Sequence, residues 1–201
     1  MEGFARELRQ AGIRFLQYRD KEATDKVVLE RATQLRTLFP ASDSCLILND
    51  RVSLVCTARY DGIHVGQEDL SPSQARATLG PDLLIGVSTH GESQLRNAID
   101  GPADYVAIGP VFATASKQDP DPVVGLDGVR AARAIARAVA RAMTTAKPLV
   151  AIGGITRSNC AAVIQAGADS VAVISDLIPR PGSSTEKLVE EFLDALSDDP
   201  R

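Results

Sequence analysis

The sequence predicts an α/β fold of the (β/α)8 TIM-barrel type, a single domain over residues 1–201 in which seven strands are visible. Three observations carry that expectation. Apolar runs of strand length alternate with stretches of helical periodicity along the whole chain, with no linker between them. Such alternation implies parallel βαβ units, right-handed crossovers and helices over the sheet. Polar clusters stand just past nearly every strand, as they do when a site is spread over the C-terminal face of a barrel. The turn after the first strand, Gln17-Tyr18-Arg19-Asp20-Lys21, is not the glycine-rich phosphate loop that an open doubly wound sheet favours there.

Phe4 and Leu8, four apart among charged residues, predict a short amphipathic helix over 1–10 that Gly12 ends. The first strand follows at 13–18 and runs into Arg19-Asp20-Lys21. Val27, Val28, Leu35 and Leu38 recur with helical spacing over 22–38, and Pro40 stops that helix. Cys45-Leu46-Ile47-Leu48 is a strand closed by Asn49-Asp50, and a short helix over 51–59 leads to the strand Gly62-Ile63-His64-Val65. Ser71-Pro72 opens a helix, with Ser as N-cap and Pro in the first turn. Strand 83–88, helix 92–99 and strand 104–109 come next. In the helix predicted over 125–145, Val129, Ile135, Val139 and Met143 form the buried stripe, and Arg130, Arg133, Arg137 and Arg141 a solvated face. Strand 148–152 ends in Gly153-Gly154, helix 157–165 stops at Gly167, and strand 169–174 and helix 185–196 close the chain.

Hydrophobic residues make up 44% of the sequence, enough for a substantial core and against disorder. A net charge of −4 gives no footprint for nucleic acid, so no nucleic-acid partner is expected. The sequence has no apolar run of bilayer length and no signal-peptide pattern at Met1-Glu2-Gly3-Phe4-Ala5-Arg6, which predicts no membrane partner. Cys45, Cys56 and Cys160 lack metal-ligand spacing and read as reduced core thiols of a cytoplasmic protein.

The stretch around which the chemistry gathers is Tyr105-Val106-Ala107-Ile108-Gly109-Pro110-Val111-Phe112-Ala113-Thr114-Ala115-Ser116-Lys117. Its apolar start suits a strand buried on both faces. Gly109-Pro110 stops regular pairing, and Thr114, Ser116 and Lys117 then offer hydroxyls and an ammonium to a phosphate. The other strand ends add to this. Gln17, Arg19 and Lys21 fall on one side of an extended segment, and the two cations suit a diphosphate. Asn49, Asp50 and Asp69 suit Mg²⁺, which takes one or two carboxylates and completes its shell with phosphate and water; Asn49-Asp50 also reads as an Asx turn before a helix. Ser88 can donate to a phosphate. His90 offers either an acid–base group or a local helix-start contact, whereas His64, inside a strand, reads as a core histidine. Gly153-Gly154 and Ile174-Ser175 let a phosphate approach the backbone. Two anion sites imply two phosphorylated substrates.

With these residues in view, the chain resembles the thiamine-phosphate synthase family. The matching stretches are Leu16-Gln17-Tyr18-Arg19-Asp20-Lys21, Leu48-Asn49-Asp50, His64-Val65-Gly66-Gln67-Glu68-Asp69, Gly86-Val87-Ser88-Thr89-His90, the Gly109 to Lys117 segment, Ala151-Ile152-Gly153-Gly154-Ile155 and Val171-Ala172-Val173-Ile174-Ser175. They run in family order over nearly the whole chain. The resemblance implies a Mg²⁺-dependent transferase that joins a hydroxymethylpyrimidine diphosphate to a thiazole phosphate, releasing pyrophosphate and forming thiamine phosphate. It assigns Gln17, Arg19, Lys21, Asn49, Ser88 and Lys117 to the pyrimidine diphosphate, with Arg19, Lys21, Ser88 and Lys117 as the catalytic set. It assigns Asp50 and Asp69 to the metal, and Thr114, Ser116, Gly154, Ile174 and Ser175 to the thiazole phosphate. Ser116 stands where the family usually has Thr.

Two other readings share this scaffold: a thiazole tautomerase, which has a catalytic His where Pro110 stands, and a non-catalytic thiamine-phosphate-binding protein. The family also begins with a strand of the apolar-then-Thr-Asp kind, whose counterpart the region before residue 10 does not supply. Strands 13–18 and 169–174 are therefore expected to face a gap, open or filled by a segment of another chain, which leaves a homo-oligomer as one outcome. Apolar side chains should meet water at both strands.

Overall fold

Strands and helices alternate as the periodicity predicts. The computed structural model describes residues 1–114, 121–140 and 146–197. In order come α1 (Glu2–Gln10), β1 (Phe15–Tyr18), α2 (Asp25–Leu38), β2 (Cys45–Asn49), α3 (Val55–Ala58), β3 (Gly62–Val65), α4 (Pro72–Leu79) and β4 (Leu84–Thr89). They are followed by α5 (Glu92–Asp100), β5 (Tyr105–Ile108), α6 (Gly125–Ala140), β6 (Leu149–Ile152), α7 (Cys160–Gln165), β7 (Ser170–Ala172) and α8 (Thr185–Ser197). The seven strands follow the order β1 to β7, and the pairs Phe15↔Cys45 and Val106↔Leu149 lie in parallel register. The chain divides into two compact units, Met1–Val87 and Ser88–Arg201, with β4 running across the division. Among the described residues no helix is long and apolar enough to cross a membrane.

In the first unit the central strands are apolar on both faces, and Leu46, Ile47, Leu48, Ile63 and Ile85 are fully buried. That is the burial of a parallel strand covered on both sides. The stripe of α2 is Val28, Ala32 and Leu35, continued by Phe39; Val27 and Leu38 are only half-buried. Val28, Ala32 and Leu35 follow an i, i+4, i+7 ladder, whereas Val27 and Leu38 sit beside it. The helix expected over 51–59 divides into a 3-10 turn, Val52–Leu54, and α3, which Arg59 ends in the left-handed region at φ 56. Cys56 is exposed on α3, so only Cys160 of the three free cysteines is a fully buried thiol. The opening of α4 takes the predicted form: the Ser71 hydroxyl accepts the Gln74 N–H at 3.3 Å, and the Gln74 amide oxygen accepts the Ser71 N–H at 2.9 Å. Ser71→Ala should therefore lower the unfolding free energy by about 1 kcal/mol, read in urea denaturation as a lower midpoint at unchanged m.

In the second unit, β5 is buried as expected, with Val106, Ala107 and Ile108 at most 3% exposed. The predicted helix over 157–165 begins only at Cys160. Asn159 explains the delay: its side-chain oxygen accepts the Thr156 N–H at 2.8 Å and its amide donates to the Gly154 carbonyl at 3.2 Å, holding the preceding residues as a loop. On α6 the buried residues are Val129, Ala132, Ile135 and Ala136; Val139 is half-buried, and Met143 and Arg141 lie outside the described residues. Arg133 does not belong to the solvated face. It pairs with Asp169 at 2.6 Å and donates to the Gly167 carbonyl.

That pair belongs to a device found in each unit. Asp61 stands before β3, accepts the Leu46 N–H at 2.6 Å and takes the Arg36 guanidinium. Asp169 stands before β7, accepts the Leu149 N–H at 2.7 Å and takes Arg133. In both places an aspartate satisfies a backbone donor at the start of the preceding strand, and an arginine from a covering helix balances its charge.

β1 and β7 end the strand order, and each carries apolar surface into solvent. Phe15 on β1 is 55% exposed, and Ile174, just past β7, is 62% exposed. Pairing of β7 with β6 stops at Ile152↔Ala172, because Gly153 turns the β6 chain at φ 88.

Candidate active site

The residues named from the sequence fall into two clusters, one in each unit. In the first, Gln17 on β1 and Arg19 just past its end are exposed on either side of the buried Tyr18, as alternation requires. Gln17 donates to the Asn49 side-chain oxygen at 2.8 Å, which joins the ends of β1 and β2. Lys21 pairs with Asp50 at 2.9 Å. Asp50 in turn shares a hydrogen bond with Asp69, whose other carboxylate contact is the Gly66 N–H at 2.7 Å. Asp20, Lys21, Asn49, Asp50 and Arg51 line a pocket of about 230 Å³.

The electrostatics separate the two carboxyls. Burial and the hydrogen bond to Asp69 push the Asp50 carboxyl up, against the pull of Lys21. Burial alone would raise Asp69 as well, but the hydrogen bond from Asp50 and that from the Gly66 N–H hold it below the usual range. Two partly desolvated carboxyls therefore converge with an ammonium beside them. A cation between them would relieve both desolvated groups. Among the described residues no group of three or more His, Cys, Asp and Glu gathers, so the remaining positions of such a cation would be filled by substrate oxygens and water. This donor set fits Mg²⁺.

The backbone at Asp50 was not foreseen. Its φ is 62, in the left-handed region where a residue with a Cβ is strained by about 1–2 kcal/mol. Three backbone bonds hold it there: Asp50 N–H to His64 O at 2.9 Å, Arg51 N–H to Asn49 O at 2.8 Å and Val52 N–H to Asp50 O at 3.0 Å. The turn aims the carboxyl at Asp69 and Lys21 instead of capping a helix. Arg51, read from sequence only as a helix start, anchors the loop that carries Lys21: it pairs with Asp25 and donates to the Ala23 carbonyl at 2.6 Å. Its separation from that loop in sequence left no local signal.

His64 is a core histidine, 6% exposed, and burial holds its pKa down at about 4 from the ordinary 6.5, with Asp69 opposing. The folded protein thus keeps the ring neutral, while the unfolded chain binds a proton below 6.5. Stability is fully present above that pH and falls as the pH drops through 6.5 toward 4. On the order of 2–3 kcal/mol should be lost to this residue by pH 4.5. Urea titrations of the wild type and of His64→Gln at pH 7 and 4.5 should show a smaller pH-dependent loss in the variant.

In the second unit, Ser88 lies near the end of β4 and is half-buried. The following Thr89 donates its hydroxyl to the Ala107 carbonyl at 2.8 Å and accepts the Gly109 N–H at 3.1 Å, fastening β4 beside the end of β5. Beyond β5, Val111 donates to the Ile152 carbonyl at 2.9 Å and Phe112 to that of Gly153 at 3.1 Å, so this segment runs along the end of β6. Gly154, at φ 67, lies so close that a Cβ there would stand 2.6 Å from the Ala113 carbonyl oxygen. Thr114 follows directly. Ile174 and Ser175 are exposed, and Asp176 ties their turn to the β6 end by accepting the Arg157 N–H at 2.8 Å and the Arg157 Nε–H at 2.9 Å. The unit thus joins the loops that carry Thr114, Gly154 and Ile174-Ser175. Ser116 and Lys117 lie outside the described residues.

The His90 backbone makes the local contact foreseen for a helix start, its N–H donating to the Gln94 side chain at 2.7 Å. Its ring does something else, meeting the Gly109 carbonyl at 2.5 Å and Asp121 at 3.3 Å.

Residues 2–177 match the family model described as thiamine monophosphate synthase. A thiamine-phosphate synthase of Koribacter versatilis is 49% identical over 193 residues, covering 96% of this chain and 85% of the relative. One from Chloroflexus aurantiacus is 41% identical and covers 83% of this chain and 73% of the relative. Among solved structures, a thiamine phosphate pyrophosphorylase from Pyrococcus furiosus matches with a TM-score of 0.82 at 29% identity, over 98% of this chain and 89% of that one. A 3-hexulose-6-phosphate synthase matches at 16% identity with a TM-score of 0.65, over 96% of this chain and 92% of that one, a likeness of fold alone.

Proposed function

Because the chain belongs to the thiamine monophosphate synthase family, we propose that it joins a hydroxymethylpyrimidine diphosphate to a thiazole phosphate, forming thiamine phosphate and releasing pyrophosphate. The observation that carries this reading is the Lys21–Asp50–Asp69 cluster, an ammonium and two carboxyls held together where a metal-bound diphosphate would be received. Lys21, with Arg19 on the same extended segment, neutralises the departing diphosphate. Gln17 and Asn49, bonded to each other, keep the cations aimed. Asp50 and Asp69 would hold Mg²⁺, which when bound supplies further charge neutralisation to the leaving group.

Ser88 and Lys117 complete the diphosphate contacts in this reading, while Thr114, Ser116, Gly154, Ile174 and Ser175 receive the thiazole phosphate. No protein nucleophile is required: the amino group of the pyrimidine stabilises a cation at its methylene as the C–O bond breaks, and the thiazole nitrogen attacks. Holding both partners in line supplies the proximity gain. Pro110 carries no group able to move a proton, which weighs against a tautomerase. With three free cysteines, we read the protein as a cytoplasmic enzyme.

The test is direct. Incubation with both substrates and Mg²⁺ should release pyrophosphate and thiamine phosphate in equal amounts, and chelation of the metal should stop it. Folded protein that yields neither product would overturn the reading.

A further inference from the structure

The His90 ring bridges two points on the segment that carries Thr114. Its Nδ1 lies 2.5 Å from the Gly109 carbonyl oxygen. A carbonyl only accepts, so Nδ1 must carry the hydrogen. Its Nε2 lies 3.3 Å from Asp121 Oδ2, with side-chain exposures of 18% for His90 and 30% for Asp121. The Asp121 carboxylate is the second group that this ring meets. Gly109 is where the chain leaves β5, and Asp121 precedes its return, where Val124 N–H bonds Pro110 O at 2.9 Å and Gly125 N–H bonds Val111 O at 3.2 Å. The ring is itself fixed from behind, because the His90 N–H is held by Gln94 at 2.7 Å on α5.

We propose that His90 is a positioning residue whose ring, bridging the Gly109 carbonyl and the Asp121 carboxylate, fixes the outgoing and returning ends of the segment that presents Thr114 to substrate. Neither group touches the reacting atoms. The effect is to hold Thr114 against the Gly153-Gly154 turn, where Phe112 N–H already bonds the Gly153 carbonyl at 3.1 Å. The role in substrate binding rests on the functional reading above; the bridge itself does not, and the test separates them.

Amide exchange in His90→Ala, Asp121→Ala and the double variant reads the bridge without substrate. Protection of the Phe112 and Val124 amides should fall about tenfold in either single variant and no further in the double, because the two groups act as one unit. Unchanged protection at both amides, or falls that add in the double variant, would overturn the proposal even in an active enzyme. Steady-state kinetics then read the consequence: both single variants should raise KM for the thiazole phosphate about tenfold while kcat changes less than threefold. Asp121→Glu should recover most of that loss, which a general loosening of the fold would not permit. An equal fall in kcat with KM unmoved would refute the positioning role. A wild type that makes no product but shows the predicted exchange pattern would refute the functional reading alone.

Discussion

Asp50→Asn is expected to lower kcat/KM by on the order of 100-fold or more while the protein stays folded, since metal-borne charge stabilisation is worth several kcal/mol. Two features make this the most damaging conservative change. Among the described residues the carboxyl converges with Asp69, which shares its hydrogen bond. Asn retains the size of the side chain and, like Asp, tolerates the left-handed backbone at φ 62, so the fold has little reason to respond. Asp69→Asn should behave alike, with the Gly66 N–H contact at 2.7 Å keeping an oxygen acceptor. Circular dichroism and a Mg²⁺ titration of turnover provide the check: the variants should require far more metal for half-maximal rate. Near-wild-type turnover at limiting Mg²⁺ would remove both residues from the metal site.

The second large effect is expected at Gly154. In Gly154→Ala the new Cβ would lie 2.6 Å from the Ala113 carbonyl oxygen and 2.8 Å from the Phe112 Cβ, at a φ of +67. Backbone has to move, and the left-handed conformation adds its own cost. Together these should lower stability by about 2–4 kcal/mol and Tm by roughly 5–12 °C. Because the displaced carbonyl precedes Thr114, affinity for the thiazole phosphate should fall more than affinity for the pyrimidine diphosphate. Gly12→Ala is the control. Gly12 also has a positive φ, +93, but a Cβ there meets nothing within 4 Å. Its loss should be limited to backbone strain of about 1–2 kcal/mol. If both variants melt together, close packing at Gly154 is not what excludes a side chain.

Several parts of this protein could be read directly from residue order. Alternation of apolar runs with helical periodicity is a local property of the chain, and it placed β3 at Gly62–Val65 and the Ser71 cap correctly, because such signals act over a few neighbouring residues. The strand ends also marked where chemistry-bearing residues stand, and pairs such as Gln17–Asn49 and Lys21–Asp50 join residues the sequence had named separately. The sequence did not disclose the partners. Asp61 with Leu46, Asp169 with Leu149, and Arg51 with Ala23 connect residues far apart in the chain, and nothing in a local window says which donor an aspartate will meet. For the same reason Arg133 looked solvated on its helix until Asp169 was found beside it. Tertiary structure alone decided that Asp50 adopts a left-handed backbone, since the bond from its N–H to the His64 carbonyl forms only when β2 and β3 lie side by side. It likewise decided that the His90 ring reaches Gly109 and Asp121 rather than its own helix. Residue order thus determined the elements and the kinds of group at their ends, because these depend on near neighbours. Which groups are desolvated, paired or strained depends on which distant residues the packed strands bring within a few ångströms.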